Sequence, residues 1–243
     1  MKKKILIQCA MEVEAEIIIS NLENKKEVNI QGYKYYEGSM YNAKIIISLS
    51  KVGLIHASAS LSLAIEKYKP DIILNMGISG ATDKKLHTKD IVITESVINI
   101  NSYRTPYKKE KEGSNPNEWE LLTFLSGETD RLIEEKTDKD LLSVTKEILK
   151  DEKITVGKIG SGDAWNREID RITYLNKEYN ILCEDMESIA SYTLANQNNI
   201  PIIAIKMISD NILTGEEYNR EVGLYLQDYI LKFLKEFIKK YKM

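Results

Sequence analysis

The chain has 243 residues, 43% of them hydrophobic and 29% charged, with a formal net charge of −3. That balance suits a globular chain with one sizeable core and argues against disorder. Acids and bases are mixed along it, which excludes the basic field of a nucleic-acid binder, and no run approaches the roughly 18 apolar residues of a membrane span.

The opening MKKKILIQCAMEVEAE starts basic, but its apolar run is short and meets acids at once, so it is not a signal peptide. Instead Ile5-Leu6-Ile7 reads as a first strand, and Glu12 to Leu22 as the place where a first helix can start. YKYYEGSMYNAKIIISLS (33–50) predicts two antiparallel strands joined by a tight turn near Tyr41-Asn42. Leu54 to Tyr68, rich in Ala, Ser and Leu, predicts a helix packed closely on a sheet. DIILNM (71–76) and DIVIT (90–94) are β-branched and nearly continuous, as strands covered on both faces are. The polar KKEKEGSNPNE (108–118) is a loop, and apolar structure resumes on both sides of it.

Asp138 to Lys150 predicts an amphipathic helix, and KITVGKI (153–159) a further strand. Met186 to Asn196 places Met186, Ile189, Ala190, Thr193 and Leu194 on one helical face. PIIAIKM (201–207) reads as the last strand, and the final helix stacks Leu226, Ile230, Phe233, Leu234, Phe237 and Tyr241 on one stripe. Strands alternating with helices over 1–243 predict a single α/β domain with a mixed, largely parallel sheet.

Two cysteines, Cys9 and Cys183, are too few for a disulfide scaffold, and a reducing, cytoplasmic compartment is the simpler expectation. His56 and His87 lie far apart, so no metal site has sensible ligand spacing. In an α/β sheet, ligands gather at the carboxyl ends of strands. The residues just after each apolar run include Glu12, Glu14, Val52, Ser79, Gly80, Asp163, Trp165, Glu184, Asp185, Met186, Glu187, Ser209 and Asp210. Each has a plain structural alternative. Gly77-Ile78-Ser79-Gly80 suits a tight turn, Glu14 a solvated first-turn acid, Ser209-Asp210 a helix cap, and Trp165 core packing.

Taken together, the set fits cleavage of a purine N-glycosidic bond. That reaction passes through a cationic sugar and needs a protonated acid for the departing base. It also needs a carboxylate to polarise water, an acceptor for the ribose hydroxyls, and an aromatic face for the base.

Six stretches in order carry a resemblance: AMEVEAE (10–16), SKVGLIHASAS (50–60), NMGISGA (75–81), SGDAW (161–165), EDMES (184–188) and PIIAIKMISDN (201–211). In them the chain resembles the purine nucleoside phosphorylase and uridine phosphorylase superfamily. Within it, the likeness is to 5′-methylthioadenosine/S-adenosylhomocysteine nucleosidases. The resemblance implies a three-layer α/β/α nucleoside phosphorylase-like fold, a homodimer, and no metal or organic cofactor. It implies that Glu14 positions the attacking water and that Asp210 protonates the purine, with Ser209 its hydrogen-bonding neighbour. Glu187 would accept from the ribose hydroxyls, with Met186 against the sugar. Trp165 would stack on the base, Asn166 would offer backbone to the base edge, and Val52, Ser79 and Gly80 would line the pocket. Glu184 and Asp185 would shape that loop. The resemblance also implies that the slot for the 5′ substituent borrows residues from a partner subunit, with Tyr103, Pro106 and Tyr107 as candidate contributors.

Two departures stand out. Asp185 takes the place of a usual Glu, and Lys206 that of a usual Arg, losing the planar fork. The five arginines are Arg104, Arg131, Arg167, Arg171 and Arg220, none of them early in the chain. Glu12 and Glu14 stand where the family's phosphorylases place phosphate-binding arginines. The expected activity is therefore hydrolysis of adenine nucleosides. The alternatives are a phosphate-dependent phosphorylase, with Lys51 as a phosphate ligand, or a purine-nucleoside binding module without catalysis.

Overall fold

The computed structural model describes residues 3–122, 134–150 and 152–241. Strand β1 (Lys4–Cys9) is followed by a 3-10 turn at Glu12–Glu14 and a short helix α1 (Glu16–Ser20). An antiparallel ribbon of β2 (Glu23–Ile30), β3 (Tyr33–Met40) and β4 (Ala43–Leu49) comes next. Helix α2 (Leu54–Tyr68) leads to β5 (Ile72–Ala81) and β6 (Ile91–Asn99). Strands β7 (Tyr103–Arg104) and β8 (Glu120–Leu121) pair apart from the main sheet, and β9 (Glu134–Lys136) lies along β6. The remainder is α3 (Lys139–Ile148), β10 (Ile154–Ser161), α4 (Ile169–Tyr179), β11 (Ile181–Asp185), α5 (Ser188–Gln197), β12 (Ile202–Asp210) and α6 (Val222–Lys240).

Among the described residues the main sheet has ten strands, in the order β11-β10-β6-β12-β5-β1-β4-β3-β2 with β9 beside β6. It is mixed: β1, β4, β5 and β12 run parallel as neighbours, and β12 meets β6 antiparallel. The sheet also returns on itself, because β11 pairs with β5 through Cys183↔Ala81 and Glu184↔Gly80. Strands β5, β12, β6, β10 and β11 thus form a closed ring, while the ribbon trails off to a charged, exposed edge at β2.

Side chains alternate across the strands. Ile5, Ile7 and Cys9 face α1, α3 and α6 with Ile18, Leu141, Leu226, Ile230 and Phe233. Leu6, Ile46 and Ile73 face α2 and α5 with Leu61, Ala64, Ile189 and Tyr192. Helices therefore cover both faces, giving the three-layer arrangement. The tight turn at Tyr41-Asn42 is present, with both residues at positive φ of 49° and 73°, the pattern of a primed hairpin turn that matches strand twist.

Two local expectations change. Glu12 to Leu22 does not run as one helix. Glu14 turns its side chain back to backbone N–H groups, and the chain leaves helical geometry at Ala15 with φ −134°. Gly77 to Ala81 is no turn, and Ser209-Asp210 no cap, because both stretches extend their strands β5 and β12. The two glycines of the former are needed for space. A Cβ at Gly77 would lie 3.0 Å from Glu14 Oε1, and one at Gly80 would lie 3.3 Å from Asp210 Oδ2.

The ring has one seam held by a side chain. Pairing between β12 and β6 covers only Ile205 to Met207. Just beyond it, the Ala204 N–H donates to the buried Tyr192 Oη at 2.9 Å, and that hydroxyl lies 2.7 Å from Thr137 Oγ1, which donates to the Thr94 carbonyl. Tyr192→Phe strands a buried N–H. It is expected to lower the unfolding free energy by about 1–3 kcal/mol in a denaturant titration, with unchanged slope.

Candidate active site

The carboxyl ends of β1, β5, β11 and β12 open into one cavity. Its lining includes Ala10, Met11, Glu14, Val52, Ser79, Gly80, Trp165, Asn166, Met186, Glu187, Ser209 and Asp210. The ten residues expected at the reacting bond, the sugar and the base are therefore in one place. Ile78, Glu184, Ile212 and Tyr218 complete it in ways that matter below.

At one end sits Glu14, only 2% exposed. Its Oε2 accepts from the Ala10 and Met11 N–H groups, both at 2.9 Å, and its Oε1 from the Ile78 N–H at 3.0 Å. The plain reading of Glu14 as a solvated first-turn acid fails on that burial. Burial also raises its pKa, against the pull of the three amides and of Lys206. Glu187 lies across from it, at the start of α5. Its Oε1 accepts from the Gly53 N–H at 3.0 Å. Burial, then the like charge of Asp185, pushes the Glu187 carboxyl up to about 8.

Behind these two acids lies an ion pair. Lys206, 1% exposed, sits with Nζ 2.6 Å from Asp185 Oδ2, and it donates to Asn75 Oδ1 at 2.7 Å. Burial opposes both charges. Asp185 nonetheless stays below the usual carboxylate range because of Lys206, and Lys206 above the usual lysine value because of Asp185 and Glu187. Asp185 also accepts from Ser188 Oγ at 2.5 Å and from the Ser188 N–H at 3.1 Å. It therefore fixes the loop that carries Glu187, the shaping role expected of it.

The opposite end is built around Gly80, which pairs with Asp210 of β12 and with Glu184 of β11. Asp210 is 6% exposed and accepts from Ser209 Oγ at 2.5 Å. Burial raises its pKa, with the Ser209 hydrogen bond acting the other way. Trp165 is 58% exposed and meets Tyr218 edge to face at 5.2 Å, so it is a surface ring at the cavity and not core packing.

Two expectations need correction. Glu184 does not merely shape a loop: it lines the cavity and accepts from the Asn166 N–H at 3.2 Å and from Asn166 Nδ2 at 2.7 Å. The Asn166 backbone N–H, expected at a base edge, is thereby already engaged. Tyr103, Pro106 and Tyr107, offered for a slot shared with a partner subunit, stand outside the cavity of their own chain, Tyr103 stacked on Trp119 at 4.6 Å and Tyr107 exposed. Ile212 and Tyr218 gave no sequence signal, because they reach the cavity from an irregular segment after β12. Of the arginines, Arg131 lies outside the described residues.

The family model described as "Phosphorylase superfamily" matches residues 4–239. The chain belongs to that superfamily. It is thus an enzyme of the nucleoside phosphorylase and nucleosidase group. A 5′-methylthioadenosine/S-adenosylhomocysteine nucleosidase of Staphylococcus aureus (strain MRSA252) is 26% identical over 211 residues, 85% of this chain and 86% of the relative. The structure of a nucleosidase of that name from S. pneumoniae, with a transition-state inhibitor, matches with TM-score 0.78 at 22% identity over 96% of this chain and 98% of that one. A futalosine hydrolase of Helicobacter pylori matches with the same TM-score, 0.78, at 19% identity over 96% and 98%. Proteins with different substrates in their names thus share this fold at the same TM-score.

The raised Glu187 pKa makes stability depend on pH. The folded state keeps a proton that the unfolded chain releases above its ordinary value of 4.5, so this contribution is full below that value and is lost as pH rises through about 8. Glu187→Gln is expected to flatten the fall of melting temperature between about pH 5 and about pH 8. A melting series in matched buffers checks it, and an unchanged slope would contradict the assignment.

Proposed function

We propose that this chain hydrolyses the N-glycosidic bond of a purine nucleoside and releases the free base. The names of its relatives make 5′-methylthioadenosine and S-adenosylhomocysteine the first substrates to offer. One observation carries the choice of water over phosphate. Glu14, Glu187 and Asp210 share one cavity, and among the described residues no lysine or arginine lines it. A phosphate dianion beside the sugar would meet carboxylates without a partner cation. Lys51 lies over the Tyr33 ring at 5.2 Å and outside the lining, and the Lys206 ammonium is committed to Asp185 and Asn75.

Each step then falls to one side chain. The base stacks against Trp165. Asp210, whose pKa burial raises, donates its proton to the five-membered ring so that the base leaves neutral. Glu14 holds the attacking water, and its raised pKa makes it a better base for the proton that water loses. The ribose hydroxyls donate to Glu187, and those donors favour its ionised form next to the cationic sugar. A binding module would need the ring and the sugar acceptor alone. The presence of Asp210 and Glu14 in the same cavity favours an enzyme.

Purine release in phosphate-free buffer is the direct test. Turnover that begins only when phosphate is added would establish the phosphorylase alternative. Asp210→Asn is expected to keep nucleoside affinity within a few-fold while kcat falls by about 10²–10⁴. Equal kcat for the variant and the wild type would remove the proton donor from the scheme.

A further inference from the structure

The fold does not choose the base, so the base must be read from the wall it would meet. Gly80 stands between two acids on adjacent strands, Asp210 on one side and Glu184 on the other. This inference rests on the purine nucleosidase reading, which places Asp210 at the five-membered ring. Glu184 and Asn166 are then the polar groups beside it that the reaction does not use.

Their hydrogen bonds define a pattern. Glu184 is 8% exposed and lines the cavity. A carboxylate has about four acceptor positions, and Asn166 takes two of them through its N–H and Nδ2. The bond at 2.7 Å also orients the Asn166 amide, since its carbonyl oxygen in that place would face a carboxylate oxygen. Nδ2 carries a second hydrogen, and no described residue takes it. The wall therefore presents a donor, Asn166 Nδ2, next to an acceptor, Glu184.

The two purine classes present opposite edges. Adenine offers a donor at its 6-amino group and an acceptor at N1. A 6-oxopurine offers an acceptor at O6 and a donor at N1. We propose that Glu184 and Asn166 select a 6-oxopurine base, hypoxanthine or guanine, over adenine: N1–H donates to Glu184, and O6 accepts from Asn166 Nδ2. The 2-amino group of guanine adds a second donor to the same carboxylate. Adenine in that place sets its N1 lone pair against a carboxylate and its amine against an amide N–H. Unpaired groups of this kind in a closed site are what give large discrimination between close analogues.

The preference depends on charge. Burial pushes the Glu184 carboxyl up to about 7, against the two Asn166 bonds; Asp210 on β12 adds to the rise and Arg171 on α4 opposes it. Above that pH Glu184 is acceptor-only. Below it the carboxyl gains a proton and suits adenine N1. The 6-oxopurine preference therefore grows as pH rises through about 7.

The test is equilibrium binding of free hypoxanthine and free adenine to the wild type and to Glu184→Gln, by calorimetry at about pH 6 and about pH 8, with phosphate-free turnover of inosine and adenosine alongside. The wild type at the higher pH is expected to favour hypoxanthine by about tenfold or more. That ratio is expected to shrink at the lower pH and in Glu184→Gln, whose amide can donate to adenine N1. Wild-type preference for adenine at the higher pH overturns the proposal, and so does a ratio that neither pH nor the substitution moves. The wild-type pH comparison decides the matter if the variant does not fold. Hypoxanthine-selective binding without hydrolysis of inosine would uphold the base selection and end the nucleosidase reading. Faster hydrolysis of adenosine than of inosine at the higher pH would do the reverse. Binding of neither base overturns both.

Discussion

A single buried ammonium organises the acidic end of this molecule. Five carboxylates line one cavity, namely Glu14, Glu184, Asp185, Glu187 and Asp210, and Lys206 is the lysine among them, set just behind the wall. An ion pair as deep as Lys206 with Asp185 is held by its additional hydrogen bonds to Asn75 and Ser188. Removing one partner of such a pair costs about 3–5 kcal/mol, because the other charge is left buried and unpaired. The pair also has a geometric effect. Asp185 takes the Ser188 N–H and so sets the turn from β11 into α5, and Glu187 sits on that turn.

The distance of each acid from that cation divides their labour. Asp185, in contact with it, is driven to ionise, whereas burial raises the pKa of Asp210 and of Glu184 around Gly80. Glu14 and Glu187 lie between, pulled down by Lys206 and up by burial. Separating protonation states by environment is how one chemical group serves as both acid and base in one site. Lysine suffices for the cationic role because what the site takes from it is a point charge with three donors, and Asp185 and Asn75 already absorb two.

Much of this was legible in the sequence. β-branched runs marked the central strands, and small residues marked the helix that packs closest. Collecting the residues after each run assembled nearly the whole cavity, because strand ends in a shared sheet must converge. Where the reading missed, the reasons are physical. Strand β2, ENKKEVNI, has little buried face, so it shows no apolar alternation. Helix α4 is mostly polar and buries only Arg171, Ile172 and Leu175. Gly77 and Gly80 looked like turn residues, but they are thin places in a strand where carboxylates approach. The pairing of β11 with β5 is long-range, and no local pattern announces it. That pairing brings Glu184 to the cavity.

The same sheet ends in two different ways. On one flank it closes through β11 and β5, which pair at Cys183↔Ala81 and Glu184↔Gly80. On the other it stops at β2, where Glu23, Lys25, Lys26 and Glu27 are all exposed. An open row of amides invites a strand from another molecule, and charges of both signs along it make that docking unfavourable. The ribbon thus guards against fibre-like growth at the end of the sheet that the reaction does not use, leaving the closed end free to be as rigid and as acidic as its chemistry demands.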